Sequence, residues 1–321
     1  MSLSDAALAR LAEIVDAPDL AGTKYELRGR VGRGGMGTVW RAYDRELGRE
    51  VALKVMNGPD PRPGGEARLR TEAQVLARLE HPGLVPVHDL GLLPDGRMFY
   101  AMKLVRGRRL DEHARDLRSP SARLRIFERI CEAVAFAHAH GVIHRDLKPQ
   151  NVMVGPFGEV LVLDWGVAKV LADPEPAGRP ALEAAPSEVD ADAATLTAAG
   201  TVLGTPGYMA PEQARGESAI GVAADVYALG ALLSFLAGDA PPRALSAMVA
   251  RARAPRPEDR YPSVGALQED VARFLSDLPV SAYTERPLEQ VRRLATKYRT
   301  PLVLVLAYLV MRALLAFVAR V

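Results

Sequence analysis

Apolar residues recur along the chain with two periods, and the change from one to the other divides it. In the first third, short alternating or continuous apolar runs mark strands. One begins at Tyr25-Glu26-Leu27, a second is Thr38-Val39-Trp40-Arg41-Ala42-Tyr43, and a third is Val51-Ala52-Leu53-Lys54-Val55-Met56. Two more are expected within 84–107, around the turn Pro94-Asp95-Gly96. Helical spacing of three and four appears at 3–16 (Leu8, Leu11, Ala12, Val15) and at 66–79 (Leu69, Val75, Leu76, Leu79). Beyond residue 107 the helical period takes over. Ser119-Pro120, a cap followed by a first-turn proline, opens a long helix to His140 with Leu124, Phe127, Ile130 and Val134 in register. A second apolar helix runs from Asp225 to Ala237, and 244–253 reads as the last helix before Arg260.

Composition narrows the class. At 321 residues, 49% hydrophobic and 25% charged, the chain is globular and long enough for a sizeable core. A formal net charge of +2 with no dominant basic block argues against nucleic acid as a partner. The single cysteine, Cys131, leaves no internal disulfide, and its helical spacing to Phe127 and Val134 makes it a packing residue. His138 and His140 read as helix-end residues, since no Cys or carboxylate is spaced to share a metal with them. The first residues lack a basic region followed by an apolar run, so no signal peptide is expected. Residues 172–194 carry Ala, Pro, Glu and Asp without aromatics and read as a disordered insert in a long loop.

The chemistry concentrates in His144-Arg145-Asp146-Leu147-Lys148-Pro149-Gln150-Asn151, followed after 13 residues by Asp164-Trp165-Gly166. A carboxylate able to orient a hydroxyl, oxygen donors for Mg²⁺ and a nearby ammonium suit phosphoryl transfer, which needs positioning and charge neutralisation. Upstream lies the glycine-rich run Val31-Gly32-Arg33-Gly34-Gly35-Met36-Gly37-Thr38-Val39. A dinucleotide fingerprint would open a helix, whereas a strand follows here, as in a hairpin whose backbone folds over phosphates. A lone Lys in a strand is ordinarily a solvent-face residue. Lys54 stands 17 residues after Gly37 within Val-Ala-Leu-Lys, which favours a phosphate-pairing role instead.

Together with Ala210-Pro211-Glu212 and Arg260, these motifs resemble, in order over residues 25–278, the bacterial eukaryotic-type (Hanks-type) serine/threonine protein kinases. The resemblance implies an α+β bilobal fold: a β-rich first lobe at 25–106 and a helical second lobe at 107–278, behind an N-terminal helical extension at 1–24. It implies an ATP-dependent kinase acting on Ser/Thr hydroxyls of proteins, autophosphorylating, in bacterial signalling. Asp146 would be the catalytic base and Lys148 would steady the transferring group. Asn151 and Asp164 would ligate Mg²⁺, with Mn²⁺ as a substitute. Lys54 would pair with Glu72, preferred over Glu66, which sits in its helix's first turn. The 31–39 run, Ala52, Lys54, Met102 and Val105 would bind ATP, with 103–105 as the hinge. Arg145 would gather a regulatory phosphate on Thr197 or Thr201, while Thr205, Glu212, Asp225 and Arg260 would be structural, Arg260 pairing with Glu212.

Two features depart from the family. Trp165 stands where Phe is usual, which packing should tolerate, and only 34 residues lie between Asp225 and Arg260. That leaves almost nothing for a solvent-facing helix that often docks substrates. The alternative reading is a nucleotide-binding pseudokinase serving as a membrane-anchored scaffold; the intact Lys54, Asp146 and Asp164 disfavour it. A basic stretch at 279–300 precedes an apolar run at 301–320, about 30 Å as a helix, with Arg312 near its middle. It is expected to be a transmembrane anchor holding the kinase cytoplasmic at an inner membrane, against the rival of a helix docked on this chain or on a second copy as a homodimer.

Overall fold

The computed structural model describes residues 17–34, 37–56, 58, 74, 77–165, 169–170, 207–217, 220–287, 289–290 and 299–318. The expected helices at 3–16 and 66–79, the insert at 172–194, and residues Gly35, Met36, Glu72, Thr197, Thr201 and Thr205 fall wholly or largely outside them.

The first lobe is one antiparallel five-stranded sheet. Strands β1 (Tyr25–Gly34), β2 (Gly37–Asp44), β3 (Arg49–Met56), β4 (Val87–Leu92) and β5 (Met98–Lys103) lie in the order β1-β2-β3-β5-β4. Strand alternation sends Trp40, Ala42, Val51, Leu53, Val55, Phe99 and Ala101 into one buried cluster. The interleaved residues share the other face: Val39 is opposite Lys54 and Ala52 is opposite Met102. The one lysine in an apolar strand is thereby aimed at the cleft. Gly37 at the hairpin is sterically required, because a Cβ there would stand 2.4 Å from the Val55 carbonyl oxygen.

The second lobe follows the short strand β6 (Arg108–Arg109). Helices α1 (Leu110–Asp116) and α2 (Pro120–Ala139) come first, and the Ser119 hydroxyl accepts from the Ala122 N–H at the start of α2. Strand β7 (Val142–Ile143) leads into the loop at 144–151, and β8 (Val152–Val154) pairs with β9 (Val160–Val162) beneath it. Strand β10 (Lys169–Val170) returns to β7. Helices α3 (Pro211–Ala214), α4 (Val222–Ala237), α5 (Arg243–Ala252) and α6 (Val264–Leu275) complete the lobe. Its core joins Leu124, Phe127, Ile130, Cys131 and Val134 of α2 to Leu229, Leu232 and Leu233 of α4 and Leu267 and Val271 of α6.

The short 225–260 segment is accommodated by close packing. Helix α5 follows α4 after five residues, and Gly230 lets the helices approach: a Cβ there would meet the Ala252 Cβ at 2.7 Å. Residues 278–287 and 289–290 then lie along this lobe. The fully engaged Asp270 accepts from the Tyr261 hydroxyl, the Ser281 N–H and hydroxyl, and the Ala282 N–H, while Arg243 pairs with Glu289 at 3.2 Å.

The last element is α7 (Arg299–Val318). It is helical over 20 residues, but among the described residues no helix is long and apolar enough to cross a membrane. Arg312 interrupts an otherwise apolar run that resumes at 313–318.

Candidate active site

Three short elements converge at the edge of the cleft: β3 from the first lobe, and the 144–151 loop and the 162–165 turn from the second. Lys54, 6% exposed on β3, forms an ion pair and hydrogen bond with Asp164 across 110 residues of sequence. Its ammonium also lies 5.9 Å from the Tyr100 ring centre on the neighbouring strand. Burial by itself favours the neutral amine, but Tyr100 and Asp164 outweigh it and hold the Lys54 ammonium above the ordinary lysine range.

The loop at 144–151 is held from beneath. Asp225, fully buried on α4, accepts the His144 and Arg145 backbone N–H groups at 2.8 Å each. Arg145 has a φ of +71°, a left-handed conformation that is costly for a non-glycine residue, so these two bonds fix an otherwise disfavoured bend. The Gln213 amide adds a third tie by donating to the Arg145 carbonyl at 2.8 Å. The His138 Nε2 stands 2.8 Å from Asp225 Oδ2. Burial alone would raise the Asp225 pKa, but the His138 hydrogen bond and the His144 N–H hold it below the ordinary carboxylate range.

On that support, Asp146 lies 2.7 Å from the Lys148 ammonium and accepts from the Asn151 amide at 3.1 Å. The Asn151 NH₂ also donates to the Asp146 carbonyl at 2.8 Å, which commits its nitrogen to the loop and fixes the orientation of its oxygen. The 162–165 turn is tied to the same loop: the Leu163 N–H donates to the Asn151 carbonyl at 2.7 Å, and its own carbonyl lies 2.9 Å from His144 Nε2. Asp164, with φ +57°, projects from the turn. An Asn amide oxygen and a carboxylate are hard oxygen donors of the type Mg²⁺ takes, so the residues present fit that ion.

Beside the chain segment joining the lobes, a cavity of about 470 Å³ is lined by Val31, Leu104 and Val105 together with Arg41, Glu50 and Arg106. Ala52 and Met102 sit opposite each other on the strands next to it. Arg260 and Glu212 form a buried two-point pair at 2.6 and 2.7 Å, with further Arg260 bonds to the Ala254 and Ala223 carbonyls at 2.8 Å.

The sequence pattern therefore picked out Lys54, Asp146, Lys148, Asn151, Asp164, Asp225, Glu212 and Arg260, which the fold brings into these three clusters. It missed His138, Gln213 and Tyr100. The helix-end reading of His138 carried no hint of a partner 87 positions away. Trp165, read only as a bulky substitute, also makes a hydrogen bond, from its indole N–H to the Val162 carbonyl at 3.2 Å.

Residues 25–289 match the protein kinase domain model. The chain is 33% identical over 299 residues to serine/threonine-protein kinase PknD of Chlamydia pneumoniae, covering 80% of this chain and 31% of that protein. It is 39% identical over 214 residues to serine/threonine-protein kinase PknA of Mycobacterium tuberculosis, covering 64% of this chain and 45% of that one. It thus spans less than half the length of these relatives. Among solved structures, the PknI kinase domain of Mycobacterium tuberculosis superposes with a TM-score of 0.58 at 25% identity, over 80% of this chain and 98% of that domain. With this match and the two-lobed fold around Lys54, Asp146 and Asp164, the chain belongs to the protein kinase family, on its bacterial Hanks-type serine/threonine branch.

Proposed function

We propose that the chain is an ATP-dependent serine/threonine protein kinase that also phosphorylates itself. The observation that carries this reading is the Lys54–Asp164 pair spanning the two lobes, tied through the Leu163–Asn151 bond to the loop of Asp146, Lys148 and Asn151. Asp146 takes the proton of a substrate Ser or Thr hydroxyl as its oxygen bonds to the γ-phosphorus; the bond from that phosphorus to the bridging oxygen breaks, and ADP leaves. Lys148 balances charge on the transferring group, Lys54 pairs with the phosphates, and the glycine-rich hairpin, Ala52, Met102 and Val105 enclose the nucleotide. Asn151 and Asp164 would hold Mg²⁺, which supplies neutralisation of phosphate charge. Glu72 as the partner of Lys54, and Thr197 or Thr201 as phosphate acceptors read by Arg145, complete the proposal. The test is incubation of the full chain with γ-labelled ATP and acid-stable phosphoamino acid analysis. Label on Ser and Thr supports the reading; no transfer to itself or to a general acceptor protein sinks it and favours a nucleotide-binding scaffold.

The C-terminal helix supports a second, coarser proposal, association with a lipid surface without a full crossing. On α7, Val303, Leu304, Val305, Tyr308, Leu309, Val310, Met311 and Leu315 are each 52–65% exposed, and they point to all sides of the helix. An apolar patch of that kind calls for a non-aqueous contact. Flotation with vesicles containing anionic lipid should carry the full chain, and Leu304→Asp with Leu309→Asp should release it. A chain that stays unbound but dimerises through α7 would replace lipid with a second copy.

A further inference from the structure

Trp165 lies directly after Asp164 and is 7% exposed. Its ring packs on the His144 ring, with centroids 4.6 Å apart and planes at 56°. That surface is itself fixed. His144 Nδ1 accepts the Asp146 N–H at 3.2 Å, so the proton resides on Nε2, which donates to the Leu163 carbonyl at 2.9 Å. Packing against such a wall would hold any aromatic side chain. The indole adds a direction that a phenyl ring lacks, since its N–H donates to the Val162 carbonyl at 3.2 Å. Val162 is an immobile anchor: it is fully buried at the end of β9, and its own N–H donates to the Gly83 carbonyl at 2.9 Å.

The bond from residue 165 back to residue 162 closes a four-residue turn with Asp164 near its apex, at φ +57°. A backbone in that region is disfavoured for Asp and persists only where its flanks are held. The upstream flank is held by the Leu163 bonds to Asn151 and His144. The downstream flank is held, among the described residues, by Trp165. We propose that the Trp165 indole N–H is a positioning group for Asp164, keeping its carboxylate turned toward Lys54 before metal or nucleotide arrives. This rests on the reading of Asp164 as a metal ligand.

The test replaces Trp165 with β-(3-benzothienyl)alanine, which keeps the bicyclic shape and exchanges N–H for sulfur, alongside Trp165→Phe. Two quantities are read on the full chain: Mg²⁺ binding in the presence of a non-hydrolysable ATP analogue, and amide hydrogen exchange at residues 162–165. Loss of one net hydrogen bond should raise the half-saturating Mg²⁺ concentration about three- to tenfold in both variants and speed exchange across the turn by a similar factor. The melting temperature reports separately on folding. If the benzothienyl protein matches wild type in both readouts, the proposal is overturned; a defect in Trp165→Phe alone would assign the effect to shape and overturn it equally. Asp164→Asn separates the two claims. Should that variant bind Mg²⁺ as wild type does, the metal-ligand reading fails, while the exchange measurement still decides whether the indole bond holds the turn.

Discussion

Asp146 is a carboxylate gripped by its own loop, with Lys148 at 2.7 Å and Asn151 at 3.1 Å, and neither contact reaches outside residues 146–151. Because these two contacts join near neighbours in sequence, the cluster was readable from eight consecutive letters. Replacing the carboxylate by the equally sized amide in Asp146→Asn should remove the proposed proton acceptor and leave the fold intact. Turnover should fall at least ~10²-fold, the low end for a general base, with an unchanged circular dichroism spectrum and melting temperature. Near-wild-type turnover would remove Asp146 from that role. Tyr100 marks the opposite case: it comes near the Lys54 ammonium only because β5 pairs with β3, a partnership that no spacing in the chain specifies.

Helix α4 acts as an internal post for the catalytic loop. Its Asp225 takes two backbone N–H groups from residues 144 and 145 and meets His138 of α2, so three separate elements share one buried carboxylate. In Asp225→Ala both N–H groups would be buried without an acceptor, at about 1–3 kcal/mol each. The Arg145 bend would lose what holds it at φ +71°. Thermal melting should drop and turnover should fall well below wild type. Unchanged melting and turnover would show that α4 does not hold the loop. The helix itself was plain from its apolar run, and its length was close to that observed. What it carries was not, since a single Asp in an apolar helix does not announce its partners.

For the molecule as a whole, Arg260 and Glu212 fasten the start of α3 to the chain between α5 and α6. Both are buried, and the Arg260 guanidinium also bonds the Ala254 and Ala223 carbonyls. Removing one partner strands the other charge, so Arg260→Ala should cost about 3–5 kcal/mol, read as a loss of about 10 °C in melting temperature. Burial would raise the Glu212 pKa, but the Arg260 hydrogen bonds hold it below the ordinary glutamate value of 4.5, and Asp225 is likewise held below the ordinary aspartate value of 3.8. Both carboxylates thus bind fewer protons in the folded chain than in the unfolded one. Their contribution is complete above about pH 5 and is lost as pH falls below 4.5 toward the lowered folded values. A urea midpoint measured from pH 7 to pH 3 should stay flat and then decline, and Arg260→Ala should flatten that decline. A midpoint that rises on acidification would contradict the assignment.

The order of the long strands and helices, the two-lobed class and the identity of the charged groups were legible in the letters. Those properties are local: side-chain period, turn residues and short motifs whose members are neighbours along the chain. The Arg260–Glu212 pair apart, which charges meet became visible only in the fold. The Lys54–Asp164 and Asp225–His144 contacts join residues 110 and 81 positions apart, and a sequence does not encode a distance of that kind in any local pattern. The fold likewise decided that α5 packs on α4 through Gly230, and that Trp165 closes the turn around Asp164 instead of merely filling space. For α7 the letters suggested a full crossing, whereas among the described residues no helix is long and apolar enough for one.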